Sequence, residues 1–289
     1  MIIDSHAHYT RAKFDNGFRY LAYEAGEHAV KEGNRKDILA ELTESGVNAL
    51  IEPGVELESN EKLLDFCREH KCFYPAVGVH PTRTCSLKRR DREKLIKYAG
   101  DESIVAIGET GLDFHQERRE QHRLRQLEWF LFQINIADSR NLPLILHIRK
   151  AHRAAITVLR LNKKKLHGGV AHCFCGTAKE ARDFFDLGLH IGIGGALLQK
   201  NENTAALEEA VRTAPLERIL VETDAPYVLP LFSDESLSKK SMRKIRNTSL
   251  ILPEVIKRIA ELKGLDVKTV EDVVYANTVK LFGLKKEND

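Results

Sequence analysis

The chain has 289 residues, is 43% hydrophobic and 30% charged, and carries 45 Lys and Arg against 42 Asp and Glu, a formal charge of +3. That is enough chain and apolar content for one large core, and it excludes a disordered polyelectrolyte or a protein gripping nucleic acid by overall charge. No apolar run approaches a bilayer span, and the amino terminus lacks a basic stretch ahead of an apolar core, so a cytoplasmic protein making no membrane contact is expected.

The first element is short. Met1-Ile2-Ile3 reads as a buried strand, followed at once by Asp4-Ser5-His6-Ala7-His8. Side chains two apart in an extended segment share a face, so His6 and His8 form a ready pair of metal ligands with an acid beside them. Further apolar or β-branched runs recur around residues 47–53, 73–79, 103–109, 142–147, 168–172, 189–193 and 218–223, making eight strands with the first at 2–6. Charged stretches of helical period lie between them. This alternation predicts parallel βα units, and eight of them predict a (β/α)₈ TIM barrel, whose usual size is roughly 250 residues. Without a linker, a low-complexity tract or a fixed-period repeat, residues 1–289 are expected to form one barrel domain.

The connecting helices follow the same logic. Leu124, Leu127, Leu131, Ile134 and Ala137, between Gln116 and Asn141, predict an apolar stripe laid on the barrel. Gly46, Gly100 and Gly264 read as helix stops, and Pro253 as the start of a helix through Val255, Ile256, Ile259 and Ala260. Cys67, Cys72, Cys85, Cys173 and Cys175 are odd in number, as expected for reduced thiols in the cytosol. Cys173 and Cys175 read as small buried residues rather than metal thiolates.

Several strands end at a His or an acid: Glu109 after Ile104–Gly108, His147 after Leu144–Leu146, His172 after Gly169–Ala171, and Asp224 just beyond Ile219–Val221. Reactive groups of a (β/α)₈ barrel sit at the C-terminal ends of its strands. His6, His8, Glu109, His147, His172 and Asp224 therefore form one candidate set, enough for two divalent ions if Glu109, from the strand opposite the first, bridges them. Two ions roughly 3.5–4 Å apart lower the pKa of a shared water and clamp the entering and leaving oxygens of an in-line displacement at phosphorus. Asp224 is then the residue to hold that water and accept its proton. Glu222 would orient a ligand or pair with a nearby Arg or Lys, Arg149 and Arg246 would neutralise substrate phosphate, and His80 would bond a phosphate oxygen, act as acid or anchor the loop before Pro81. Asp113 and His115 follow Glu109 closely enough to line the mouth.

In order along the chain, Asp4-Ser5-His6-Ala7-His8, Gly78-Val79-His80-Pro81, Gly108-Glu109-Thr110-Gly111-Leu112-Asp113, His147-Ile148-Arg149, Ala171-His172-Cys173-Phe174 and Glu222-Thr223-Asp224-Ala225-Pro226-Tyr227 resemble the successive signatures of the TatD family of metal-dependent deoxyribonucleases. The resemblance covers nearly the whole chain. It implies a barrel of the amidohydrolase superfamily that hydrolyses phosphodiester bonds in DNA, trimming single strands from the 3′ end. It also implies that His6, His8 and Asp224 hold one ion, that His147 and His172 hold the second, and that Glu109 is shared, with Mg, Mn or Zn as the ion. Arg246-Asn247 resembles a basic pair that follows the last strand in the family. Ile148, Cys175 and Thr248-Ser249 depart from the family pattern, and none of them is a ligand position. The alternative is a metal hydrolase of a small amide, lactone or nucleobase on the same barrel. Relatives of that kind often carry a carboxylated lysine where this chain has Glu109.

Overall fold

A computed structural model describes residues 1–24, 27–115, 119–199, 204–230, 239–242 and 244–285. Eleven strands are present among them. β1 (Ile2–Asp4), β4 (Val47–Pro53), β5 (Phe73–Val77), β6 (Ala106–Asp113), β7 (Leu144–Arg149), β8 (Gly169–Ala171), β9 (His190–Ile193) and β10 (Ile219–Val221) form one sheet, hydrogen-bonded in that order. The first and last members are joined as well. Ser5 N–H donates to Val221 O (3.0 Å), Asp224 N–H to His6 O (2.9 Å), and Ala7 bridges Ala225 in parallel. Parallel strands need long crossovers, and helices supply them: α1 (Arg35–Glu44), α2 (Ser59–Glu69), α3 (Asp91–Ala99), α4 (Glu120–Arg140), α5 (His152–Leu161), α6 (Ala178–Phe185) and α7 (Thr204–Thr213) each fall between successive strands. This alternation is that of a (β/α)₈ barrel.

The described residues pack as two compact units. One comprises residues 1–51, 173–178 and 192–277, the other residues 52–172, 179–191 and 278–289. In the first unit a hairpin interrupts the expected plan. β2 (Phe18–Glu24) pairs antiparallel with β3 (Glu27–Gly33), and β11 (Ile245–Arg246) adds to β2 in parallel, making a separate three-stranded sheet. Its anchor is aromatic: Tyr9 stacks on Phe14 at 4.7 Å between centroids, Phe14 meets Phe18 at 5.1 Å, and Phe18 meets Tyr20 at 6.0 Å. The same unit carries α8 (Lys239–Met242) and α9 (Leu252–Lys263), which buries Val255, Ile256, Ile259 and Ala260 as their spacing required. Pro253 lies in its first turn and Gly264 caps it in the left-handed region at φ 65°. Most of α10 (Val267–Phe282) follows.

In the second unit α4 differs from the expected face. Trp129, Phe130, Ile134, Ile136 and Ala137 are buried with Gln126 and Gln133, whereas Leu124 and Leu131 are 57% and 40% exposed. A periodicity count favours Leu over Gln, but here two glutamines face inward because strand-end backbone groups need partners. β6 also departs from its expected span. It starts two residues after Ile104 and runs four past Glu109, its register against β7 slipping between Ile107 and Thr110. Close approach explains the glycine that precedes Glu109: a Cβ on Gly108 would lie 2.5 Å from Cβ of Ile145, and one on Gly78 would lie 2.5 Å from the Gly108 carbonyl carbon.

Among the described residues no helix is long and apolar enough to cross a membrane.

Candidate metal centre

In the first unit the His-x-His segment delivers the geometry its spacing required. His6 Nε2 and His8 Nε2 lie 3.1 Å apart, and Asp224 Oδ1 stands 3.6 Å from the first and 3.4 Å from the second. The two histidines are buried, while the Asp224 side chain keeps 16% of its surface. Two imidazole nitrogens and a carboxylate oxygen converging over this range suit a divalent ion that accepts mixed N and O donors. The three candidate ligands are held from behind. Asp4, fully buried, accepts hydrogen bonds from the N–H groups of His6 (3.1 Å) and Thr223 (3.1 Å) and from the hydroxyls of Thr223 and Ser249 (both 2.6 Å). Burial pushes its carboxyl up to about 6, and the bonds from Ser249, Thr223 and His6 work in the opposite direction. Ser249 in turn lies 3.0 Å from the Tyr9 hydroxyl. Ser249, one of the departures from the family pattern, is thus built into the support of the ligands.

This support has a measurable worth. Asp4→Ala leaves four buried donors short of an acceptor, and unmade buried bonds cost roughly 1–3 kcal/mol apiece when they cannot find water. With partial compensation among them, an overall loss of about 3 kcal/mol is expected. Urea unfolding followed by circular dichroism checks it, and an unchanged midpoint would exclude the network as a stabilising element.

The second unit presents Glu109, His147 and His172. His147 Nδ1 lies 3.1 Å from His172 Nε2, and its other nitrogen, Nε2, lies 3.1 Å from Asp113 Oδ2. A carboxylate on one imidazole nitrogen orients the ring and leaves the other as the ligating atom. Asp113 is thereby a second acidic residue beside the candidate ligands, where the sequence predicts only a side chain lining the mouth. It does serve the turn too, accepting from His115 N–H (2.9 Å). Although burial alone raises the Asp113 carboxyl, bonds from His147 and His115 and the charge of Arg149 bring its pKa below the usual carboxylate value. The strand alignment carries the signal: Gly111 faces His147 across the ladder and Asp113 faces Arg149.

His80 uses its two nitrogens differently. Nδ1 accepts from Thr82 N–H (3.2 Å), capping the turn at Pro81–Ser86, while Nε2 faces Glu109 Oε2 at 3.4 Å. An accepting Nδ1 fixes the proton on Nε2, so His80 presents a donor rather than a lone pair. Its ring meets His147 edge to face at 4.1 Å. Gln133 holds the preceding residue, Val79, by both backbone groups (2.8 and 3.1 Å), and Gln126 does the same for Asp113 (2.8 and 2.9 Å). These are the two inward glutamines of α4. Arg149 is exposed at the end of β7, close enough to Asp113 for its charge to lower that carboxyl's pKa.

Strain concentrates at the strand ends. Asp224 (φ 55°), Cys173 (φ 48°), directly after His172, and Lys150 (φ 54°), directly after Arg149, all occupy the left-handed region without being glycine. Such residues cost of order 1–3 kcal/mol each and cluster where function over-determines the backbone. Glu222 is buried and accepts the Cys173 N–H, tying the segment after His172 to the strand that leads into Asp224. Burial foremost, and the nearby Asp224 carboxylate, drive the Glu222 pKa well up. The two cysteines differ from the expectation of small buried residues: Cys175 is exposed, Cys173 partly so, and Phe174 fills the apolar position between them. Its bond to Cys175, together with burial, pushes the Cys173 thiol up, away from a thiolate ligand.

The model of the TatD-related DNase family matches residues 3–283. The chain belongs to that family. The TatD relative of Escherichia coli K12, named a 3′-5′ ssDNA/RNA exonuclease, is 34% identical over 254 residues, covering 87% of this chain and 94% of that protein. YabD of Bacillus subtilis, named an uncharacterized metal-dependent hydrolase, is 27% identical over 282 residues, covering 98% and 99%. The crystal structure of YJJV, a TatD homologue of E. coli K12, superposes with a TM-score of 0.79 at 24% identity over 98% of each chain. The fold expected from eight βα repeats is therefore the TatD barrel, and the chain is a TatD-type hydrolase.

Proposed function

We propose that this TatD-family chain is a divalent-metal-dependent nuclease that trims single-stranded DNA from its 3′ end in the cytosol, with its two compact units acting as one barrel domain. The observation that carries the reading is the convergence of His6 Nε2, His8 Nε2 and Asp224 Oδ1 within 3.1–3.6 Å, backed by buried Asp4. The named activity of the 34%-identical relative supplies the substrate class. His6, His8 and Asp224 would hold one ion, His147 and His172 the other, and Glu109 would be shared; Mg, Mn and Zn all suit this set. Bound there, two ions supply Lewis acidity that lowers the pKa of water and offsets charge at phosphorus.

The remaining work falls to the protein. Asp224 holds the attacking water and takes its proton on a carboxylate oxygen. Asp113 keeps His147 in the ligating tautomer, and the Asp4 network keeps His6 and Asp224 in register. Glu222 fixes the backbone after His172. Arg149 and Arg246 offset the phosphate charge, and the Nε2–H of His80 is placed to donate to a phosphate oxygen or to the leaving oxygen.

A time course on end-labelled oligonucleotides with Mn²⁺ tests the reading. Single strands should shorten one nucleotide at a time from the 3′ end, far faster than blunt duplex, because a duplex end must first unpair. Arg149→Ala should lose most of this activity through weaker binding. Internal cleavage of duplex at an equal rate, or hydrolysis of amides or lactones instead, would overturn it.

A further inference from the structure

Two cations in the first unit stand outside any ion pair among the described residues. They are Lys13 and Arg246, and the Nε of Arg246 is buried without a hydrogen-bond acceptor. A buried guanidinium nitrogen left open is costly unless a ligand completes it. Both cations are held in place. Lys13 lies in the turn Ala12–Phe14, pinned by the fully buried Phe14 ring between Tyr9 and Phe18. Arg246 lies in β11 opposite Tyr20, and the next residue, Asn247, donates to the carbonyls of Thr223 (2.8 Å) and Val228 (3.3 Å). That fastens β11 against the segment bearing Tyr227.

Tyr227 joins the pair to the metal ligands. The Lys13 ammonium sits 3.9 Å over the Tyr227 ring, and the same ring meets His8 edge to face at 6.1 Å. Partial burial and the charges of Arg246 and Arg11 draw the Lys13 pKa down, with Asp224 opposing, as befits a cation set among like charges. Lys13 thus feels the Asp224 carboxylate at a distance without pairing with it. What fits two cations outside any ion pair, one of them linked to His8 through Tyr227, is an oxygen anion that arrives with the substrate.

We infer that Lys13 and Arg246, with Tyr227 as the platform positioning Lys13, form a subsite for the phosphodiester next to the scissile one in a single strand. The inference rests on the nuclease reading. Contact is with phosphate, not with base, so it carries no sequence preference. Tyr227 acts through Lys13: a cation over an aromatic face is held without losing its charge, and Phe can replace Tyr in that role.

The test is binding rather than turnover. Fluorescence anisotropy measures affinity for labelled dT, dA and dC oligonucleotides across a salt series, in chelator, so that hydrolysis does not intervene. Single strands give a slope of log affinity against log salt of about −0.7 per neutralised phosphate. Lys13→Gln should make the slope shallower by about 0.7 and weaken all three sequences alike. Lys13→Arg should keep the wild-type slope, as should Lys257→Gln, which removes the same charge from α9. Tyr227→Leu should reproduce part of the Lys13→Gln loss, and Tyr227→Phe should restore it. An unchanged slope in Lys13→Gln overturns the subsite, a loss confined to one base overturns the phosphate assignment, and a Tyr227→Leu protein indistinguishable from wild type overturns the platform. Should the wild-type protein bind strands through Lys13 and never cleave them, the nuclease reading fails and the subsite stands.

Discussion

Glu109→Gln is expected to abolish hydrolysis and to cost the protein both metal ions. Glu109 is buried on β6, and its Oε2 faces His80. In the proposed centre it is the one residue shared by the two ions, so its charge offsets both at close range. Gln keeps the shape and removes the charge. Two cations a few ångströms apart then repel with less to hold them, in a site where low dielectric magnifies the repulsion. Turnover should fall by at least about 10⁴-fold, roughly 5.4 kcal/mol of barrier. Calorimetric titration of Mn²⁺ into the metal-stripped variant decides the structural part. Two ions bound at near wild-type affinity would show that Glu109 does not bridge, and a matching circular dichroism spectrum guards against misfolding. His147→Ala makes the contrast, with one ion lost and the other retained.

What the sequence made legible follows physical scale. Strand identity was readable because buried parallel strands write themselves as unbroken apolar runs, and seven of the eight lie within a few residues of where the runs place them. The candidate ligands stood out for a related reason: His and acid residues are uncommon in apolar strand runs, so their position where such runs stop draws attention to the reactive rim. Pairs held across the sheet were less legible. That Asp113 partners His147 depends on the β6–β7 register, which slips at Ile107–Thr110, and no local pattern announces a slip. The α4 face was misread because Gln126 and Gln133 look like surface residues until the backbone groups of Asp113 and Val79 that they satisfy are known. The β2–β3 hairpin escaped because its strands alternate charge with aromatic residues beside a helix-forming stretch, and its aromatic ladder reaches back to Tyr9. The subsite around Lys13 was equally hidden, since it joins residues more than two hundred positions apart.

Asp224→Asn should lower kcat by about 10³-fold, within the 10²–10⁴ range of a lost general base, and weaken binding of the ion proposed at His6 and His8. The choice of Asn matters. Asp224 sits at φ 55°, in the left-handed region, where Asn is among the few non-glycine residues that settle readily. Asn therefore removes the charge and the proton acceptor while leaving the backbone as it is. Ala removes the same groups but adds conformational strain of about 1–2 kcal/mol. Comparing the two separates chemistry from scaffold. The metal-free Asn variant should unfold at the wild-type temperature and the Ala variant at a lower one, with both nearly inactive at saturating Mn²⁺. Differential scanning calorimetry and single-turnover kinetics read the two effects independently. If Asp224→Asn turns over at the wild-type rate once its metal is saturated, the proton goes to another group, and the assignment of Asp224 as base is wrong.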